Sequence, residues 1–227
     1  FMNVATGLVF DNADLVKAEQ EIAKQYLGHS KYTAKVVSEV IPLERNRVNI
    51  NFYIEEGRIS RIKSIDITGN RTYLKDDLLD LLTLKETNWL SWYDKDDRYS
   101  RQELSGNLET IRSFYMDRGF LDFKINSTTV SISKNKKNIY IAINIEEGDK
   151  YTIGTVKVSG KIPEEVQNKD KEEANLKDLR KEIFIEEGTV FNRKLVNQSS
   201  QKLTSMLGNY GYAFANVNAV PDIDKIN

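Results

Sequence analysis

Residues 100–148 read SRQELSGNLETIRSFYMDRGFLDFKINSTTVSISKNKKNIYIAINIEEG, and this stretch decides the fold. Leu104, Leu108, Ile111 and Tyr115 recur at steps of 4, 3 and 4, which puts them on one face of a helix. Arg118-Gly119-Phe120 ends that helix, because Arg near a C-terminus complements the dipole and Gly takes the left-handed cap conformation. Phe123 and Ile125 open a strand, residues 133–138 make a polar turn, and Ile139, Ile141, Ile143 and Ile145 alternate at period two up to Glu146-Glu147-Gly148. The pattern predicts a helix laid on a β-hairpin.

The same text stands on both sides of it. A shift of 89 residues carries Leu15, Ile22, Tyr26, Ser30 and Val36 onto Leu104, Ile111, Tyr115, Gly119 and Ile125. Past the hairpin turn the shift is 91, and it carries Val48, Ile50, Phe52 and Ile54 onto Ile139, Ile141, Ile143 and Ile145. Glu55-Glu56-Gly57 then falls on Glu146-Glu147-Gly148, and Ile62, Ile65, Ile67 and Gly69 on Ile153, Val156, Val158 and Gly160. A shift of 92 carries Ile111, Phe114 and Gly119-Phe120 onto Leu203, Met206 and Gly211-Tyr212. Compounded to 181, the register also places Gly7-Leu8-Val9-Phe10-Asp11 on Gly188-Thr189-Val190-Phe191-Asn192.

The repeating unit is strand, helix, helix, strand, strand, predicted in the central copy at 59–68, 75–82, 100–118, 120–132 and 138–147. The fold class is α+β, with two helices on a three-stranded mixed sheet. The register predicts a partial unit at 1–57, a complete unit at 58–148 and a unit lacking its last strand at 149–227. The start at Phe1-Met2-Asn3 reads as a boundary within a longer protein. Successive units meet at Gly57-Arg58 and Gly148-Asp149 with almost no linker, so the chain is expected to bend at those joints. Variation between copies falls in two loops. One carries Trp89, Trp92 and Tyr93, as a cap on the core or an aromatic patch for a partner; the other is a charged insertion at 161–173.

Phe123, Ile125 and Ser127 keep odd positions, whereas Val130 and Ile132 continue on even ones. A half-buried strand cannot change phase while regular, so a β-bulge is predicted near 127–129. The first copy carries the same signal, Val36 followed by Ile41 and Leu43, and predicts a bulge or kink there too. Such a slip protects an edge strand from unwanted pairing, or marks a strand that accepts one from a partner.

The residues for catalysis are missing. The 33 basic and 34 acidic residues leave a formal charge of -1, which gives no overall electrostatic footprint for nucleic acid or an anionic membrane. No cysteine is present, which removes disulfides, thiol nucleophiles and Cys-based metal sites, and no cofactor is implied. His29, the single histidine, stands in a turn where exposure is the ordinary expectation. Asp94-Lys95-Asp96-Asp97 lacks the Gly and Glu of an EF-hand loop, having Tyr99 and Ser105 in their places. Asn126-Ser127-Thr128 fits a glycosylation acceptor pattern too short to carry weight. Lys134, Lys136 and Lys137 form a basic turn that reads as a solvated hairpin tip.

Three further stretches carry a resemblance: Leu43-Glu44-Arg45-Asn46-Arg47-Val48, Gly106-Asn107-Leu108-Glu109-Thr110-Ile111-Arg112-Ser113 and Ile143-Asn144-Ile145-Glu146-Glu147-Gly148-Asp149. With Tyr210-Gly211-Tyr212-Ala213, they resemble the POTRA domains of outer-membrane barrel-assembly factors over nearly the whole chain. The resemblance implies part of the second, all of the third and most of the fourth domain of a five-domain arm. It implies a scaffold rather than an enzyme, on the periplasmic face of the Gram-negative outer membrane. Implied partners are accessory lipoproteins and unfolded outer-membrane proteins, and a membrane β-barrel would follow the arm. The binding mode implied is strand addition at the second strand, here Asp122, Phe123, Lys124, Ile125, Asn126, Ser127, Thr128, Thr129 and Val130. The alternatives are the arm of a secretion or translocation-assembly barrel, or a spacer that binds nothing.

Overall fold

A computed structural model describes residues 7–88, 91, 96–159 and 176–224. It divides into two compact units, Phe1–Ile111 with Ile125–Ile145, and Arg112–Lys124 with Glu146–Asn227.

In the first unit, helix α1 (Asn12–Gly28) precedes an antiparallel pair, β1 (Lys35–Leu43) and β2 (Arg47–Glu55). Strand β3 (Arg61–Thr68), helix α2 (Lys75–Asp80) and most of helix α3 (Arg101–Met116) follow, then the hairpin of β4 (Lys124–Ile132) and β5 (Asn138–Glu146). The sheet order is β3-β5-β4, with β3 parallel to β5. This is the β-α-α-β-β unit, and each predicted element falls within a few residues of its place. Ile139, Ile141, Ile143 and Ile145 of β5 are buried while the residues between them are exposed, as a central strand with one covered face requires. Leu15, Ala18, Ile62, Ile65, Ile67, Leu78, Leu82, Leu84, Leu104 and Ile111 complete the buried apolar set described for this unit.

Two strands differ from expectation. The β1–β2 ladder runs without a register shift from Lys35↔Glu55 to Leu43↔Arg47, so the bulge predicted for the first copy is absent. Val36, Ser38 and Val40 share one face throughout, and the amide of Ser38 donates to Glu19 Oε1 of α1 at 2.6 Å. A polar Ser therefore belongs to the inner phase, and Ile41 and Leu43 face outward. A register shift not expected from the sequence stands in β3. The β3–β5 register shifts between Ile62 and Ser64, leaving Lys63 as the extra residue.

In the second unit, α4 (Leu176–Lys181) and α5 (Arg193–Asn209) are helical. Leu179, Phe191 and Leu203 are buried. Residues 152–159, the register equivalents of β3, form no strand beyond the single bridge Thr152↔Val190. A strand needs a partner for its amides and carbonyls, and no counterpart of β5 exists for them among the described residues.

The register reappears as repeated hydrogen bonds. Asp11, Ser100 and Asn192, at corresponding positions of three copies, each accept from a backbone amide two or three residues on, at 2.7, 3.3 and 3.0 Å. At the other end of the same helices, Lys31 N donates to Tyr26 O, Phe120 N to Tyr115 O and Tyr212 N to Leu207 O, at 3.0, 3.1 and 2.9 Å. The residue before each donor has a positive φ: 61° at Ser30, 103° at Gly119 and 99° at Gly211.

A second pair of equivalents, Tyr26 with Glu56 and Tyr115 with Glu147, forms the same side-chain contact in both copies. The Tyr115 hydroxyl donates to Glu147 Oε1 at 2.8 Å in a buried setting, and that of Tyr26 to Glu56 Oε1 at 3.2 Å in an exposed one. Lys31 also hydrogen-bonds Glu56, and that ammonium first, then Tyr26, holds the Glu56 carboxyl below its ordinary range. Tyr115→Phe removes a donor from a buried carboxylate and is expected to cost about 1–3 kcal/mol in urea unfolding. The same change at Tyr26 is expected to move the midpoint far less, because water and Lys31 serve Glu56 there.

Candidate strand edge and domain joints

Strand β4 has β5 on one side and no neighbouring strand on the other among the described residues. Of the nine residues implied for partner binding, Lys124 to Val130 lie in this strand, whereas Asp122 and Phe123 lie in the turn before it. Lys124, Asn126, Ser127, Thr129 and Val130 are exposed, and Ile125 and Thr128 half-buried. The half-buried positions are three apart, so the two-residue period breaks where the sequence changes phase. Val130 and Ile132 remain 38% and 40% exposed, no more covered than the outward Tyr140 at 40%.

Asp122 and Phe123 have other duties. Phe123 is buried and stacks on Tyr115, with ring centroids 4.5 Å apart and planes 13° from parallel; Phe120 meets the same ring edge-on at 5.4 Å. Asp122 Oδ2 accepts from the Tyr151 hydroxyl at 2.6 Å. That bond, with burial and the charges of Asp122 and Asp149 adding to it, pushes the Tyr151 phenol up to about 12. Gly148 approaches Asp122 so closely that a Cβ there would stand 2.8 Å from Asp122 Cβ. Asp122 therefore serves a joint.

The two joints share one backbone device. Ser60 N donates to Ser30 O at 2.8 Å, and Tyr151 N, its register equivalent, donates to Gly119 O at 2.9 Å. In each case the positive-φ turn of one copy receives the amide of the third residue of the next. Side chains add to it differently. At the first joint, Ser30 Oγ donates to Tyr99 O, Ser60 Oγ to Lys136 O, and Lys136 Nζ to Tyr32 O. At the second, Arg193 Nη2 donates to Ser113 Oγ at 2.7 Å and Lys194 N to Asp117 Oδ1 at 2.9 Å. Sequence reasoning missed these joints as bonded structures; the coincidence of Ser30 with Gly119 in the register was the signal for them.

Trp89, Trp92, Tyr93, Asp94, Lys95 and the charged insertion at 161–173 lie outside the described residues. His29 is exposed, its Nδ1 2.9 Å from the carbonyl of Gln25.

A family model described as "POTRA: Surface antigen variable number repeat" matches residues 1–57, 60–148 and 151–227. The chain belongs to the POTRA family. Over 218 residues it is 26% identical to the "Outer membrane protein assembly factor BamA" of Neisseria meningitidis serogroup B, covering 96% of this chain and 26% of that protein. The protein of the same name from Buchnera aphidicola subsp. Acyrthosiphon pisum is 30% identical over 228 residues, covering 98% of this chain and 34% of the relative. The chain thus spans a quarter to a third of the length of these curated relatives. The crystal structure of Haemophilus influenzae BamA POTRA3-5 shares the fold with a TM-score of 0.51 at 22% identity, covering 88% of this chain and 72% of that one. No described helix is long and apolar enough to cross a membrane.

Two substitutions test the second joint of this POTRA chain. Gly148→Ala places a Cβ at a φ of 71° as well as against Asp122, and is expected to destabilise by about 1–2 kcal/mol or more. Tyr151→Phe removes the bond to Asp122. Because the phenol is raised in the folded state, its contribution is full below about pH 10, the unfolded value, and is lost as pH climbs toward 12. The difference in urea midpoint between wild type and Tyr151→Phe is expected to stay constant from neutral pH to about 9 and then close. A difference independent of pH up to 12 would assign the loss to packing instead.

Proposed function

We propose that this chain is part of the periplasmic arm of an outer-membrane β-barrel assembly factor, a scaffold that receives partner strands along β4. Three repeat units make up the segment: 1–57 partial, 58–148 complete, and 149–227 without its last strand. The limits of the three family matches support that division. The names of the curated relatives support the assembly role. The observation that carries the binding mode is the place of β4 at the edge of the sheet.

An edge strand offers main-chain donors and acceptors in a row. A partner that adds a strand there is held chiefly by backbone bonds, with weak preference for side chains. That tolerance suits unfolded outer-membrane proteins, whose strands alternate apolar and polar residues. Accessory lipoproteins are the second class of partner for the arm. The exposed side chains of Lys124, Asn126, Ser127 and Thr129 bring polarity and one charge to the edge, which restrains self-association of a lone strand.

Titrating the isotope-labelled chain with a strand-forming peptide of alternating aromatic and polar residues tests this. Amide shifts are expected to concentrate on Lys124 to Val130, with slower hydrogen exchange along the same run. Perturbation confined to α2, α3 or α5 would sink strand addition while leaving the family assignment intact.

A further inference from the structure

Four cations meet in a cleft of 410 Å³ at the first joint: Arg58, Arg61, Lys63 and Lys137, with the polar side chains of Thr87 and Asn138 beside them. We propose that this cleft binds a phosphate group, carried by free inorganic phosphate or by a lipid headgroup.

Among the described residues, no carboxylate lines the cleft. Arg61 gives Nη1 to the buried Asp97 at 2.6 Å, and Glu86 accepts from the amide of Ile65 at 2.9 Å, so the nearest acids have partners of their own. Among the described residues no ion pair is formed by Arg58, Lys63 or Lys137. The register shift in β3 falls between Ile62 and Ser64 and leaves Lys63, an exposed residue of the cleft, without a partner position on β5. Bulges re-aim side chains beside binding sites.

The repeat itself supplies a control. The positions equivalent to Arg58, Arg61 and Lys63 in the next copy are Asp149, Thr152 and Gly154. The joint is made there with the same backbone bond and none of the cations. The backbone bond of the joint therefore does not require them; Arg61 also serves the buried Asp97, whereas Arg58, Lys63 and Lys137 form no ion pair among the described residues.

The chemistry favours phosphate over a single carboxylate. Like charges gathered in one small cleft repel, and an anion whose negative charge is spread over closely spaced oxygens on one tetrahedral centre relieves them best. A guanidinium fork takes two phosphate oxygens at once, while lysine serves as a point charge. Carboxylates of an acidic peptide arrive singly and further apart.

The test titrates the whole chain with sodium phosphate, and separately with phosphatidylglycerol vesicles against phosphatidylcholine vesicles, reading amide shifts of Arg61, Lys63, Thr87 and Asn138. Lys63→Gln with Lys137→Gln alters two exposed, unpaired side chains; circular dichroism and the melting temperature check that the fold is retained. The expected result is saturable shifts at those amides and binding about tenfold weaker or worse in the double variant, with no change in the control Lys17→Gln with Lys24→Gln. Saturation by phosphate and by phosphatidylglycerol indicates a headgroup within reach of the membrane, and saturation by phosphate alone a soluble ligand; both support the site. The proposal fails if neither probe saturates, if the double variant binds as wild type does, or if an Asp/Glu-rich peptide alone produces the shifts.

Discussion

Two backbone carbonyls, Ser30 O and Gly119 O, carry the continuity of this chain. Each stands at the end of a helix, where carbonyls lack intrahelical partners. A positive φ turns the chain so that this group faces the copy that follows, and an amide near the start of that copy, Ser60 N or Tyr151 N, satisfies it. A single backbone hydrogen bond contributes only about 1 kcal/mol net. Leaving both of its groups without partners costs more, so separation of the copies at this point is resisted beyond the value of the bond. The side chains around each joint then add to it.

Those side chains show how a repeat keeps geometry while its chemistry drifts. Thr33 and Asp122 are register equivalents, and each lies against the glycine that closes its copy, Gly57 or Gly148. Thr33 Oγ1 accepts from Arg58 N, while Asp122 accepts from Tyr151 two residues further into the next copy. The third equivalent is Phe214, fully exposed in the structure. What persists is a positive φ and a close backbone approach, which glycine meets without strain. Ser30 meets the same demand without glycine. Its side chain is buried, and its hydroxyl donates to Tyr99 O, an interaction glycine would forfeit.

Much of this was legible in the sequence, because repetition turns weak local signals into a strong one. The register alone aligned Tyr26 with Tyr115 and Glu56 with Glu147, and in each copy the structure joins that Tyr to that Glu by a hydrogen bond. Strand phase was read less well. The step from Ile62 to Ile65 and then Ile67 is the same kind of slip as that from Ile125 to Val130, and it marked the bulge at Lys63. In β1 the apolar Ile41 and Leu43 suggested a slip, yet Ser38 holds the inner phase through Glu19, a contact no periodicity reports. The cleft was hidden for another reason. Arg58, Arg61 and Lys63 are distant in sequence from Lys137, and parallel pairing of β3 with β5 brings them together.

The joint also limits the edge. A partner strand added to β4 needs backbone that is extended and side chains that are not committed elsewhere. Phe123 is committed to the ring of Tyr115, and Asp122 to Tyr151 and to the closeness of Gly148. The turn they occupy also holds the Phe123 amide on Phe120 O at 3.2 Å. The ladder available to a partner therefore starts at Lys124, where β4 itself begins, and runs toward Ile132. Nine residues at roughly 3.3 Å each give about 30 Å of edge, close to the length of a strand of a membrane barrel. The two-residue burial period breaks between the half-buried Ile125 and Thr128, so the side chains along that length do not keep one alternation. Main-chain pairing survives such a break better than side-chain recognition does, which favours a partner defined by extended backbone over one defined by a fixed motif.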